Sequence, residues 1–503
     1  MSHAEDARKE DVRTYDHFID GARTAPAGGG YLPTTNPYSG QVNAFFAEGT
    51  DEDVDRAATA AWAAFSSTSW SRRPHERARL LRRLADLIDA DAARLAAIES
   101  ADNGKTIREE RGMFGAVGSY FRYAASLAET LTGDVPAGAD PSVLSLTLRE
   151  PYGVIGVQTP WNTPGVLLAQ PVAPALAAGN TIVVKPSELA PLSILELASL
   201  FAAAGFPPGV FNVVTGLGPV VGAALCAHPR VAKLTFTGSP AAGRLVAAQA
   251  AQRLVPVTME LGGKSANVVF PDADLDAAAA AVAAGFIAAG GQSCVAGSRA
   301  VVHESVYDDM VDRLDARAKQ VRMGDPAQPT TDMGPVCTQE QFARISDLVR
   351  TGLDEGARLV AGGRQSADLD GTLFFPPTIL ADVSNQMTIA QEEVFGPVVC
   401  VIPFRDEQHA VEIANDTVFG LAGGVWTRDL DRAHRVARAI RAGTIWVNHY
   451  RRGDPAFPFG GFGQSGYGRF SGIDGFREMT QVKSIQILTG QLPASEPPAG
   501  AAS

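Results

Sequence analysis

Val154-Ile155-Gly156-Val157-Gln158-Thr159 is the first of five short apolar runs. Thr181-Ile182-Val183-Val184-Lys185, Val210-Phe211-Asn212-Val213-Val214, Lys233-Leu234-Thr235-Phe236-Thr237 and Val257-Thr258-Met259-Glu260 follow it. Runs this short, rich in Val, Ile, Thr and Phe, read as strands. Between most of them lie segments with helical character, at 192–203, 220–226 and 241–251. Strands separated by single helices fold as right-handed crossovers in a parallel sheet. The chain is therefore expected to be α/β. Ligands of such sheets gather beyond the carboxyl ends of the strands, so the chemistry is expected there.

A second α/β unit is expected after Gly262, with strands near 266–270, 300–303, 398–404 and 444–448. Its helices are expected at 274–289, 306–318 and 341–355. Upstream, residues 50–65 open on acidic residues and read as a helix. Pro74 starts a longer amphipathic helix (Leu80, Leu81, Leu84, Leu87, Ile88) that closes near Gly104. The polar start and the Pro-, Ala- and Ser-rich tail, 1–18 and 491–503, are expected to be flexible ends.

Composition excludes several classes. A chain of 503 residues with net charge −12 and no long basic run offers nucleic acid no electrostatic footprint. Its most apolar stretch, 277–289, is too short to span a bilayer, and its opening lacks a secretory core; a cytoplasmic protein is expected, without a membrane partner. The four cysteines, Cys226, Cys294, Cys337 and Cys400, form no pairs at metal-ligand spacing. Neither a disulfide framework nor a metal site is expected.

The residues that close the strand runs carry the chemistry. Thr159-Pro160-Trp161-Asn162-Thr163 follows the first. An asparagine amide there can donate to an oxyanion as a carbonyl becomes tetrahedral, though a turn asparagine after proline is the plainer reading. Lys185-Pro186-Ser187-Glu188 closes the second run, as ligands of an adenosine ribose or as a soluble strand end. Glu188 would repel a 2′-phosphate, which favours NAD and makes NADP the lesser option. Phe236-Thr237-Gly238-Ser239-Pro240 is a strand, a glycine turn and a proline-opened helix, whose free N–H groups suit a pyrophosphate. It departs from Gly-x-Gly-x-x-Gly. Gly216-Leu217-Gly218 comes nearer, but Gly222 falls one position late.

Met259-Glu260-Leu261-Gly262-Gly263-Lys264-Ser265 ends the fifth run with a carboxylate able to take a proton from water, or with an ordinary ion-paired glutamate. Gly263-Lys264-Ser265 and Gly104-Lys105-Thr106 imitate the end of a phosphate-binding loop, but Thr258 and Glu99 stand where that motif needs glycine. Gly290-Gly291-Gln292-Ser293-Cys294-Val295-Ala296-Gly297 sets a thiol among small residues that give a ligand close access. A buried small hydrophobe is the alternative. Glu393-Val394-Phe395-Gly396-Pro397 and Pro458-Phe459-Gly460-Gly461 are loops readable as packing.

Taken together and in this order, these motifs resemble the aldehyde dehydrogenase superfamily, over about residues 20–487. The resemblance implies a Rossmann-like NAD-binding domain (19–130 and 151–260), an α/β catalytic domain (261–477) and a small β oligomerisation element (131–150 and 478–490). That element extends a neighbour's sheet in dimers or tetramers. Cys294 resembles the nucleophile that attacks the aldehyde, with Asn162 and the backbone N–H of Cys294 as the oxyanion hole. Glu260 resembles the base that activates water against the thioester. Lys185, Ser187 and Glu188 resemble adenosine-ribose ligands, and Gly238 and Ser239 the pyrophosphate contact. Glu393 resembles the ligand of the nicotinamide ribose, with Phe395 packing beside it. Thr159, Pro160, Trp161, Gly218, Phe236 and Leu261 complete the implied cofactor surface.

The chain departs from family members that line the substrate tunnel with aromatics. Thr163, Gln170, Arg452 and Gly453 occupy those places, ahead of Phe459, so a wider and more polar tunnel is expected. Arg451 and Arg452 point to an aldehyde with a carboxylate or other polar tail, with solvated or ion-paired arginines as the plainer reading. Two other functions stay open. A CoA-acylating enzyme would not need Glu260, and a non-catalytic relative of the fold would tend to lose Cys294 or Glu260.

Overall fold

The computed structural model describes residues 12–138, 140–365 and 371–490. The five runs form the centre of an eight-stranded sheet. Its order is Gly466–Tyr467, Val257–Glu260, Val231–Thr237, Val154–Gln158, Thr181–Lys185, Phe211–Val213, His17–Ile19, Ala22–Thr24. The central five pair in parallel, and the outer strands join antiparallel. Val154–Gln158 and Thr181–Lys185 are buried throughout, as strands covered by helices on both faces must be.

The crossover between those two strands is the helix Pro164–Ala178, which has no polar face and contains Pro171 and Pro174. Neither feature announces a helix in a sequence. Packing holds it instead: most of its length is buried, and Gly179 closes it in the left-handed region. The helix Ile107–Leu127 was equally unforeseen. Its signature was present, since Thr106 and Glu109 form a capping box around its first turn. The helices Asp51–Ser67 and Pro74–Asn103 match expectation, the latter ending at Gly104 with φ +80°.

The second sheet has seven strands, ordered Arg358–Ala361, Thr378–Ala381, Val398–Phe404, Arg299–His303, Ala266–Val269, Ala422–Trp426, Thr444–Val447. Ala422–Trp426 escaped the sequence reading because Gly423 and Gly424 weaken a strand pattern. The structure needs the second of them: a Cβ at Gly424 would run into the Asn267 side chain.

Three expectations are corrected. Residues 12–18 are not a flexible end, because Thr14–Tyr15 and His17–Ile19 are strands with Tyr15, His17 and Phe18 buried. Residues 1–11 and 491–503 lie outside the described residues. Much of the stretch 466–477, expected with the second unit, packs instead against the first. Gly466–Tyr467 pairs with Val257–Glu260, and Phe470, Phe476 and Met479 join the apolar core of the first unit. Burying three large side chains there outweighs their nearness in sequence to the second sheet. Finally, the helix expected at 274–289 is Leu275–Ile287, since Ala289, Gly290 and Gly291 all turn left-handed. The strands Val143–Pro151 and Thr480–Leu488 form a separate antiparallel ribbon in full register.

Candidate active site

Glu260 is the last residue of its strand, and its backbone carbonyl accepts the N–H of Gly238 at 3.1 Å. The loop after the fourth strand is thereby tied to the end of the fifth. Beyond Glu260 the chain passes Gly262 and Gly263, which allow two close approaches. A Cβ at Gly262 would strike the Glu393 carboxylate, and one at Gly263 would lie 2.5 Å from the carbonyl oxygen of Cys294. Glu393 seals this contact by accepting the N–H of Gly263 at 3.0 Å. The paired glycines therefore bring strand end, cysteine loop and Glu393 loop to one point.

Asn162 reaches the same point from the first strand. It is buried, and its Nδ2 donates to the carbonyl oxygen of Gln292, two residues before Cys294, at 3.0 Å. A side-chain amide has two N–H groups, so one remains for a second acceptor. Gln292 staples the cysteine loop: its Nε2 donates to Ala289 at 3.0 Å, and its Oε1 accepts from Cys337 N at 2.9 Å. Cys294 is half-buried, whereas the other three cysteines are fully buried. Burial of its sulfur, then Glu393 and Glu260, push the thiol up to about 12, against a lowering by Arg451.

Both carboxylate oxygens of Glu260 are buried without a hydrogen-bond partner. Burial pushes its carboxyl well above the ordinary range, with the Arg469 charge as the opposing influence. Arg469 went unnoticed in the sequence, where it carries no motif. The structure brings it to Glu260 because a Cβ at Gly460 would touch Glu260 Oε1 at 2.7 Å and Arg469 Cδ at 2.8 Å. The glycines of Pro458-Phe459-Gly460-Gly461 thus serve close approach more than packing.

At the same carboxyl edge of the first sheet, Lys185 Nζ meets Glu188 Oε2 at 2.7 Å. Burial raises the Glu188 carboxyl, but Lys185 overrides this and holds it below the usual range. Gly218 opens a helical turn, Gly218–Gly222, near Glu188. Ser239 caps the helix Pro240–Gln252, its hydroxyl accepting from Ala242 N at 3.3 Å, and Gly238 leaves no Cβ to crowd the Phe236 ring. Trp161 packs edge-on to Phe395, with ring centroids 5.5 Å apart. These residues fit a dinucleotide: a charged pair for a ribose, a helix N-terminus for phosphate and the half-buried Glu393 carboxylate toward the cysteine. Thr159 is buried, and Leu261 donates its N–H to Ser465 O at 3.0 Å.

The expected substrate residues divide. Gln170 is buried with its Oε1 unpartnered, beside Tyr120 and Tyr123. Arg452 is exposed, with its backbone carbonyl holding Trp446 Nε1 at 3.1 Å. Phe459 pairs with Phe470 through their backbones. The Thr163 hydroxyl accepts from Lys105 Nζ at 2.6 Å. Arg451 is half-buried, and its Nη1 donates to the carbonyl oxygens of Ala284 and Gly285 near the end of a helix. A cation is favoured at such an end.

The model of the aldehyde dehydrogenase family matches residues 24–485. The chain belongs to that family. This aldehyde dehydrogenase is 43% identical over 473 residues to a (Z)-2-((N-methylformamido)methylene)-5-hydroxybutyrolactone dehydrogenase of Acinetobacter baylyi, covering 93% of this chain and 96% of that protein. It superposes on a NAD-dependent aldehyde dehydrogenase of Sinorhizobium meliloti with a TM-score of 0.94 at 38% identity, covering 98% of each chain. The NAD+ complex of a Bacillus cereus aldehyde dehydrogenase gives a TM-score of 0.93 at 39% identity, over 97% of this chain and 99% of that one. Among the described residues of this aldehyde dehydrogenase, no helix is long and apolar enough to cross a membrane, and no cluster of His, Cys, Asp and Glu could hold a metal.

Proposed function

We propose that this enzyme oxidises an aldehyde to its carboxylic acid with NAD, through a thioester on Cys294. One observation carries the reading: Asn162, Cys294 and Glu260, far apart in sequence, converge around Gly262 and Gly263. Cys294 adds to the aldehyde carbon and gives up its proton to solvent water as the C–S bond forms. The free N–H of Asn162 and the backbone N–H of Cys294 hold the resulting oxyanion, which drives the hydride out. Lys185, Glu188, Gly238, Ser239 and Glu393 would hold NAD, which when bound would supply the two-electron acceptor. Glu260 then takes a proton from water, whose oxygen attacks the thioester and frees the acid and the thiol. A water-activating base whose carboxylate is otherwise unpartnered favours hydrolysis over transfer to CoA.

Asn162→Ala is expected to leave NAD affinity intact and to lower kcat about 10²- to 10³-fold, the cost of one oxyanion donor. Stopped-flow hydride transfer measures it, and a near-normal rate removes Asn162 from the hole. The substrate reading is an aldehyde with a polar or carboxylate tail, supported by Gln170 and by the exposed Arg452. Semialdehydes are expected to exceed alkanals of equal length in kcat/KM by roughly tenfold, the scale of one exposed ion pair or hydrogen bond. Equal values remove that preference.

The ribbon of Val143–Pro151 and Thr480–Leu488 leaves Leu144, Leu148, Val482, Ile487 and Leu488 exposed. Such an apolar, open-edged ribbon suits strand extension into a second copy of the chain. Four free cysteines fit a reducing compartment such as the cytoplasm.

A further inference from the structure

Ala289 sits at φ +57°, a left-handed conformation that side chains disfavour, five residues before the nucleophile. Its N–H donates at 2.7 Å to Oε1 of Glu109, in the first turn of Ile107–Leu127. The other oxygen of Glu109 accepts from Thr106 N at 3.2 Å and from the Thr106 hydroxyl at 2.9 Å, which fixes the carboxylate against its own helix. Four residues earlier, Lys105 is buried and donates to the Thr163 hydroxyl, next to Asn162. Lys105 is backed by Glu110 at 3.8 Å, which in turn accepts from Asn103 at 3.1 Å. Glu99, from the preceding helix, accepts the N–H of Gly165 at 3.1 Å and the Ser193 hydroxyl at 2.6 Å. One helix start therefore grips both loops that build the oxyanion hole: the cysteine loop through Glu109 and the asparagine loop through Lys105.

We propose that Glu109 and Lys105 are positioning residues that set the distance between Asn162 and the sulfur of Cys294. The inference rests on the roles of Cys294 and Asn162 proposed above. Glu109 holds Ala289 left-handed, which directs residues 290–294 back toward Asn162. Lys105 stops Thr163 from rotating its neighbour out of line. Neither touches substrate. An error of about 1 Å in such a pair costs on the order of 10²-fold in rate, because the donor must meet the oxyanion and not the ground-state carbonyl.

Glu109→Ala is expected to lower kcat about 10- to 100-fold with the KM for NAD unchanged. It also removes a helix cap, so the thermal midpoint falls too. Ala289→Gly separates the two effects, because glycine adopts the left-handed turn unaided while the cap stays lost. The double variant Glu109→Ala/Ala289→Gly should recover most of kcat at the lowered midpoint. Thr163→Val tests the other arm: kcat falls, Thr163→Ser restores it, and in an Asn162→Ala background Thr163→Val costs nothing further. An unchanged kcat in Glu109→Ala, or a double variant that stays slow, overturns the part given to Glu109. Losses of Thr163→Val and Asn162→Ala that simply add overturn the part given to Lys105. A Cys294→Ala enzyme that still turns over would instead remove the reading beneath the proposal.

Discussion

Cys294→Ala abolishes aldehyde-dependent NAD reduction, with an expected loss on the order of 10⁴- to 10⁶-fold in kcat, the scale on which enzymes lose rate when a nucleophile is removed. An aldehyde does not release hydride readily. The tetrahedral alkoxide on sulfur does, and only the sulfur can make it at this position. The other three cysteines are buried and cannot substitute. The thiol is held up to about 12 by burial and then by Glu393 and Glu260, so at neutral pH it is protonated in the free enzyme. Its proton must leave as the carbon–sulfur bond forms. Alanine removes a small, partly open side chain and leaves the Asn162–Gln292 hydrogen bond in place. The thermal midpoint and NAD affinity of the variant should therefore match the wild type. The measurement is NADH formation by the folded variant, checked by circular dichroism. Turnover at the wild-type pace would falsify the covalent mechanism.

Glu260→Gln acts later in the cycle. The glutamine keeps the shape of the strand end but cannot accept a proton from water, so the acyl-enzyme should form and persist. Mixing enzyme, NAD and aldehyde should give one equivalent of NADH per site, followed by a steady rate about 10²- to 10⁴-fold below wild type. In the wild type the active form is the carboxylate, and burial raises its pKa well above the ordinary value. Turnover limited by deacylation should rise with pH through that raised pKa and level off above it; the glutamine variant should lose this rising limb. The same shift fixes the sign for stability. A carboxyl raised in the folded state contributes stability in full below its unfolded pKa, and that contribution is lost as pH rises through the folded pKa. Above that point the buried, unpartnered charge of Glu260 opposes folding, so Glu260→Gln should melt at or above the wild-type temperature. A variant with unchanged steady turnover and an intact pH profile takes the base role from Glu260.

Cys294 and Glu260 were both legible, because each sits beside glycines that no strand or helix interior would tolerate without a reason. The five apolar runs announced a parallel sheet, since buried strands leave an uninterrupted apolar record. Thr106 and Glu109 also left a readable capping box, though nothing in it pointed to a partner nearly two hundred positions away. Pro164–Ala178 left no such record, because a helix buried on every side carries no alternation of polar and apolar residues.

What the chain's order of residues determined by itself was the α/β class and a set of candidate reactive groups, because strand propensity, glycine turns and helix caps act over a few residues. What tertiary structure alone decided was which of those groups meet. It turned Thr163 toward Lys105, moved Arg451 onto backbone carbonyls, returned Gly466–Tyr467 to the first sheet and Phe470, Phe476 and Met479 to its core, and set Arg469 beside Glu260. Each of these outcomes depends on contacts between segments far apart in sequence, where burial of apolar surface and the pairing of buried polar atoms prevail over anything local.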